Sequence, residues 1–308
     1  MSSAANPEFR ILGVLGGESL RIALNWLIGN KPVMSNELDS VLEATPLLSA
    51  KDGNLADILP EDFLGRFNVL SYRNAARILS SAARSELIEL IESLMSFAIS
   101  TPDMVAGGGN KSNIAKKMDA LLNPKGWYET RIRADMLIEK IVTRPNPSNG
   151  RRGEKKTVTT SERFKILKII DGHKIDFVKN RVAFDMEWNS KDQTFDRDLY
   201  AMRAFYEAGI IDAGVLLTRD ASLGDMFKEI GDRVSIENFK SKYGASTTWM
   251  GKLTYRLDAA RNGGCPILAI GITPSVVSDF EDWKEINPVI RSTDLGDISA
   301  PSDEDDGV

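Results

Sequence analysis

The chain has 308 residues, 42% hydrophobic and 27% charged, with a formal net charge of −5. That is a balance for one large domain or two smaller ones, and no apolar run approaches the ~20 residues that span a bilayer. One cysteine, Cys265, and one histidine, His173, exclude an internal disulfide, a Cys-rich zinc site and any two-histidine metal motif within one chain. The start, "MSSAANPEFR", shows no secretory signal, and a reducing cytoplasm is expected.

Residues 1–66 read as a separate helical extension. "LRIALNWLI" and "NELDSVLEATPLL" carry apolar positions at helical spacing, punctuated by "SAKDGN" and "LPEDF". From about residue 67 more helix is expected. "RSELIELIESLMSFAI" puts Leu87, Leu90, Ile91, Leu94 and Met95 on one core-facing stripe, with Ser85 as its cap. "AGGGN" at 106–110 is a lone glycine run, read as a loop and not a phosphate cradle. No nucleotide-binding loop or dinucleotide fingerprint follows a strand, so no nucleotide cofactor is expected. "KSNIAKKMDALL" is a further short helix, ended by "NPKGW".

Residues 127–143 are a strand or a helix bearing Arg131, Arg133 and Glu139. "TRPNPSNGRRGEKKTVTT" is a loop that presents Arg151, Arg152 and the following lysines. His173 in "DGHKID" lies at an expected turn, a poor place for a catalytic base. Between Lys125 and Lys179 there are 14 Lys/Arg against 7 Asp/Glu. Six acids crowd the last 15 residues, Asp294 to Asp306, and without them the body carries about +1. Residues 294–308 are expected to be a disordered acidic tail. The basic stretch is either a solvated surface or one that faces phosphates.

Residues 164–219 have the clearest grammar. "FKILKII" is strand-like or a helix end, and "KIDFVK" alternates. "KNR" is a turn, and "VAFDMEWN" is the second strand of a hairpin. "FDRDLYAMRAFYEAG" is a helix with Leu199, Met202, Phe205 and Tyr206 clustered and Gly209 as its stop. "IIDAGVLLTR" is a buried strand. Strand, strand, helix, strand gives a mixed α/β architecture. On the second hairpin strand, Val182, Phe184, Met186 and Trp188 face one way, and Ala183, Asp185, Glu187 and Asn189 the other. The hairpin lets Asp176 approach Asp185, with Glu187 one step on. Three acids at one spot repel unless a cation sits among them, and hard oxygen ligands without His or Cys favour Mg²⁺ or Mn²⁺. Spacing alone weighs this reading evenly against surface acids on an exposed strand.

The segment "DFVKNRVAFDMEWNSKDQTFDRDL", with "GIIDAGVLLTR", "YGASTTWMGKL" and "GGCPILAIGI", resembles the BglII/BstYI family of type II restriction endonucleases, in the PD-(D/E)XK nuclease superfamily. The resemblance covers about residues 67–275. It implies a nuclease core, a central mixed sheet flanked by helices, over 67–293. It implies a homodimer acting on double-stranded DNA at a palindromic site with a GATC core, in the cytoplasm of a prokaryote, with Mg²⁺ as cofactor and Mn²⁺ as a substitute. Asp176, Asp185 and the main-chain carbonyl of Met186 would ligate the metal. Glu187 stands where the wider superfamily usually has lysine, so it would orient or deprotonate the attacking water or help hold a second metal. Asp185 replaces the more usual Glu of this branch.

The resemblance also implies that the segment of Asn189, Lys191 and Asp192 approaches DNA. Ser246, Thr247 and Thr248 either cap a helix or read base edges, and the resemblance favours reading. Lys252 and Arg256, one turn apart, would address the backbone. Asp192, Asp196, Arg197 and Asp198 also suit capping the following helix and complementing its dipole, and that role is expected for Asp196 and Asp198. Two other readings compete: a repair or modification-dependent nuclease of the same fold, and a DNA-binding regulator that no longer cleaves, against which the intact acid trio argues.

Overall fold

The structure, a computed structural model, describes residues 52–106, 111–146, 156–234 and 239–289. All of these lie in one compact unit spanning residues 50–308. The expectations for residues 1–51, the glycines 107–109, Arg151, Arg152 and the acidic tail fall outside the described residues.

The order of elements is α1 (Glu61–Arg66), β1 (Phe67–Tyr72), α2 (Ala75–Ala82), α3 (Arg84–Ser96), α4 (Thr101–Val105), α5 (Asn113–Leu122), β2 (Tyr128–Pro145), β3 (Thr157–Lys179), β4 (Val182–Glu187), α6 (Thr194–Glu207), β5 (Ala213–Arg219), α7 (Leu223–Arg233), α8 (Phe239–Lys242), α9 (Met250–Asp258), β6 (Ile267–Ile272) and α10 (Phe280–Ile286). The six strands form one sheet in the order β1-β6-β5-β4-β3-β2. β4, β5 and β6 run parallel, and the pairs β1/β6, β3/β4 and β2/β3 are antiparallel. This is the expected mixed sheet flanked by helices. No helix among the described residues is long and apolar enough to cross a membrane.

Strand alternation divides the core in two. Val182, Phe184, Val215, Leu217, Leu268 and Ile270 point into a large cluster with α1 to α5, α7, α8 and α10. Ala183, Leu216, Ile267 and Ala269 point the other way, into a smaller cluster under α6 and α9. Both faces of β4 are therefore covered, as expected of a strand in parallel pairing. Gly214 lets α6 press onto the sheet: a Cβ there would stand 2.4 Å from Met202 Sδ and 3.0 Å from Ile267 Cδ1.

Several local expectations change. Residues 67–72 form an edge strand, not a helix. Pairing to β6 decides this, because "FNVLSY" is too short for its own pattern to tell strand from helix. Ser85 does not cap α3: Ala83 holds that position, and the Ser85 hydroxyl donates to Glu86. His173 sits within β3, edge-on to the ring of Tyr200, and not at a turn.

Both 128–145 and 157–179 are strand, so the expected loop is trimmed from each side. They form a ribbon in which β3 meets β4 only at Phe177, Val178 and Lys179. Cross-strand neighbours Met136/Ile166 and Ile138/Phe164 make one side apolar. The other side carries the ion pairs Arg163–Glu139 and Lys165–Asp135. Met136, Ile138, Phe164 and Ile166 are all exposed.

Candidate active site

The hairpin that carries the acids turns at Asn180 and Arg181, between the paired Lys179 and Val182. Asn180 adopts φ 47°, a left-handed conformation that asparagine tolerates better than most residues. Phe177 opposes Phe184, so Asp176 and Asp185 are the next residues outward on the two strands. Asp176 is exposed and Asp185 is buried.

Asp185 and Glu187 share the β4 face of Ala183, which α6 covers. They are only 4% and 6% exposed, so the reading of surface acids on an open strand does not apply. α6 adds a fourth acid. Asp198 is 1% exposed and lies on the same stripe as Phe195, Leu199, Met202 and Phe205. Its expected role of capping the helix is therefore wrong, since the side chain points inward beneath the helix. The Asp198 Oδ2 atom is buried without a hydrogen-bond partner.

The electrostatics follow from this crowding. Burial pushes the Asp185 carboxyl well above the usual carboxylate range, and the charges of Asp198, Asp176 and Glu187 push it further. Burial and then the charge of Glu187 raise Asp198 to about 8, against the opposing pull of Arg197. Arg197 reaches over both acids. Its Nε and Nη2 donate to Asp198 Oδ1 at 3.0 and 2.9 Å, and Nη2 also donates to Glu187 Oε1 at 3.3 Å. Burial disfavours its charge, but Asp198, Glu187 and Asp185 together hold it more firmly protonated than usual.

Among the described residues no group of three or more His, Cys, Asp or Glu side chains is placed to hold a metal ion. The donor types here are those a hard divalent cation takes. Four carboxyl groups share one region with Arg197 as the cation in contact, one buried carboxylate oxygen has no partner, and every side-chain donor is oxygen.

Beyond Glu187 the chain enters the stretch expected to meet DNA. Lys191 is exposed and forms an isolated antiparallel bridge with Thr247. Asp192 N–H donates to Ser246 O, and Thr248 N–H donates to Ser190 O. The "YGASTT" stretch is thus tied to the end of β4. None of its hydroxyls caps α9, whose N-cap is Trp249 without a side-chain hydrogen bond. Ser246 is exposed and Thr247 half-buried. Thr248 is 0% exposed with its hydroxyl unpartnered, so it is not brought to the surface with the other two. Asn189 Nδ2 donates to Lys242 O, and its Oδ1 is buried without a partner.

Two cations fare differently from each other. Lys252 lies 3.4 Å from Asp192 and stays partly exposed. Arg256 is buried, donating to Asp196 Oδ2 at 3.0 Å and to Lys252 O. Asp196 also accepts from Arg261, and although burial raises its pKa, these two arginines hold it below the usual range. Asp196 therefore clamps α6 to α9, and Arg256 faces this clamp.

Arg219, at the end of β5, carried no expectation. It is 4% exposed, donates to Trp188 O and to Thr247 Oγ1, and lies over the rings of Phe227 and Tyr243. Burial lowers its pKa to about 10. It fixes Thr247 relative to the strand that bears the acids.

The family model for restriction endonuclease BglII/BglIII matches residues 67–272, about two thirds of the chain and every strand of the sheet. No curated protein matches it. Restriction endonucleases of this kind generally use divalent metal ions, in keeping with the oxygen donors gathered around Asp185. The chain belongs to the BglII/BglIII restriction endonuclease family and is a type II restriction endonuclease, a DNA-hydrolysing enzyme that cuts at specific sites.

Proposed function

We propose that the enzyme cleaves double-stranded DNA at a palindromic site with a GATC core, as a homodimer in a prokaryotic cytoplasm, with Mg²⁺ as its metal and Mn²⁺ as a substitute. The observation that carries this reading is the buried Asp185, pressed by three neighbouring carboxylates with one arginine between them. Burying like charges at such cost is hard to explain as packing and simple to explain as a cation site. Asp176, Asp185 and the Met186 carbonyl would hold the metal, which when bound supplies charge neutralisation at the phosphate and a more acidic water.

The chain's own groups do the rest. Glu187 orients the attacking water and takes its proton. Burial beneath α6 keeps bulk water from Asp185 and Glu187. Ser246 and Thr247 read base edges, while Asn189, Lys191, Lys252 and the basic residues of 151–156 approach the backbone. A palindrome suits a protein two-fold, one acid site per strand. The uncovered apolar side of the β2–β3 ribbon supports self-association. It carries a neighbouring Lys140–Glu162 pair of opposite sign, which a two-fold can set against its own complement.

The test is cleavage of plasmid DNA with and without Mg²⁺, on unmethylated and methylated substrate. Discrete fragments that require the metal are expected, with ends mapping to GATC-containing sites. A smear would refute site specificity, and fragments mapping elsewhere would refute the GATC core.

A further inference from the structure

The acid cluster has a surplus of negative charge and one cation in contact with it. Asp185 feels the charges of Asp176, Glu187 and Asp198, Asp198 feels that of Glu187, and Arg197 is the only Lys or Arg among the described residues that pairs with any of the four. Exposure separates the partners. The Glu187 and Asp198 side chains are 8% and 2% exposed, while that of Arg197 is 67% exposed. The guanidinium therefore lies at the mouth of the acid pocket, between the carboxylates and solvent. Its Nε and Nη2 are spent on the two acids, and Nη1 makes no hydrogen bond to the described residues.

We propose that Arg197 is a catalytic residue of the cleavage reaction: its free Nη1 donates to a non-bridging oxygen of the phosphodiester being cut. This rests on the acid-site reading given above. Glu187 occupies a position from which it cannot supply positive charge, and α6 delivers that charge instead, from a residue ten positions further along the chain. In the step itself the water oxygen bonds to phosphorus and one phosphorus–oxygen ester bond breaks. The water proton goes to Glu187, and the departing oxygen keeps the electron pair and takes a proton from solvent. Charge on the phosphoryl oxygens grows on the way to the transition state, and a preplaced guanidinium gains strength as it does. The contacts with Glu187 and Asp198 hold the fork in place before DNA arrives.

The experiment uses the full chain and plasmid DNA that the wild type cuts. Arg197→Ala should lower the single-turnover cleavage rate by about 10²–10³-fold, the scale for one lost transition-state donor. Its Kd for the same DNA in EDTA should change by less than roughly fivefold. Arg197→Lys should recover at least tenfold of the loss, and added guanidinium ion at millimolar concentration should speed the alanine variant and not the wild type. Cleavage by Arg197→Ala within about threefold of wild type would overturn the proposal. So would a loss that neither lysine nor guanidinium ion restores while the melting temperature falls, because that marks a strut. Asp185→Ala, run in parallel, separates the underlying reading: if it still cleaves, the acid site is misplaced whatever Arg197 does.

Discussion

Replacing Asp198 with asparagine should stabilise the metal-free enzyme at alkaline pH and impair its response to metal. Burial and the charge of Glu187 push the Asp198 carboxyl up to about 8 from an ordinary 3.8. Its folded pKa is raised, so its neutral form contributes stability that is complete below the unfolded pKa and lost as the pH climbs through about 8. At ~1.4 kcal/mol per unit, a shift of this size is on the order of 6 kcal/mol across the whole window. Part of that belongs to Asp185 and Glu187, which repel the same charge, so the single substitution should recover roughly 2 kcal/mol. Arg197 binds only Oδ1. Asparagine keeps that acceptor, and its amide replaces the unpartnered Oδ2 with a donor beside Glu187. For a domain of this size 2 kcal/mol is roughly 4–8 °C in Tm. Thermal melts in EDTA should show this gain at pH 8.5 and much less at pH 4.5. With Mg²⁺ added, the wild type should rise more than the variant, since a bound cation stabilises the state that holds it. An unchanged or lower variant Tm at pH 8.5 in EDTA would refute the claim that these acids are held together under repulsion.

Asp185→Ala and Glu187→Ala should each abolish metal-dependent cleavage while DNA binding in EDTA persists, read by plasmid digestion beside a mobility-shift titration. Thr247→Ala should change the ratio of cognate to near-cognate cleavage, at ~1–3 kcal/mol for one lost base contact, and a pure fall in Tm would assign its hydroxyl to its contacts with Arg219 and the Gly244 carbonyl alone. Lys191→Ala should weaken binding to all sequences and lower the slope of log Kd against log salt by about one. Arg256→Ala should leave that slope unchanged and lower Tm, because its charge is committed to Asp196.

The parts of the fold legible in the sequence are those where the pattern is local. The hairpin turn, β4, α6 with its stop at Gly209 and the buried β5 all follow from alternation, helical period and turn residues within a dozen positions. The edge strand β1 is not local in this sense. Phe67 to Tyr72 become a strand by pairing with Ile267 to Ile272, some two hundred residues later. The ribbon was obscured for a different reason. Its apolar face is uncovered, so "MLIEKIV" and "FKILKII" lack the clean contrast that a half-buried strand writes into its sequence.

The site divides along the same line. Asp176, Asp185 and Glu187 stand on one hairpin, so their closeness is legible locally, while the spacing alone weighs evenly and the family resemblance tips the reading. Asp198 is masked because an acid near a helix start has an ordinary explanation. The period of α6 offered a sharper signal: positions 195, 198, 199, 202 and 205 form a single stripe, and an aspartate inside an apolar stripe must be buried or paired. Arg256 went the opposite way. Its spacing from Lys252 suggests two cations presented together, and both do stand beside Asp192, but α6 covers the Arg256 end of that face and pairs it with Asp196. Sequence spacing gives direction around one helix and says nothing of what lies opposite. That is why helix α6, whose acids at 196 and 198 read alone as caps, brings to the site both a further buried carboxylate and the cation that meets it.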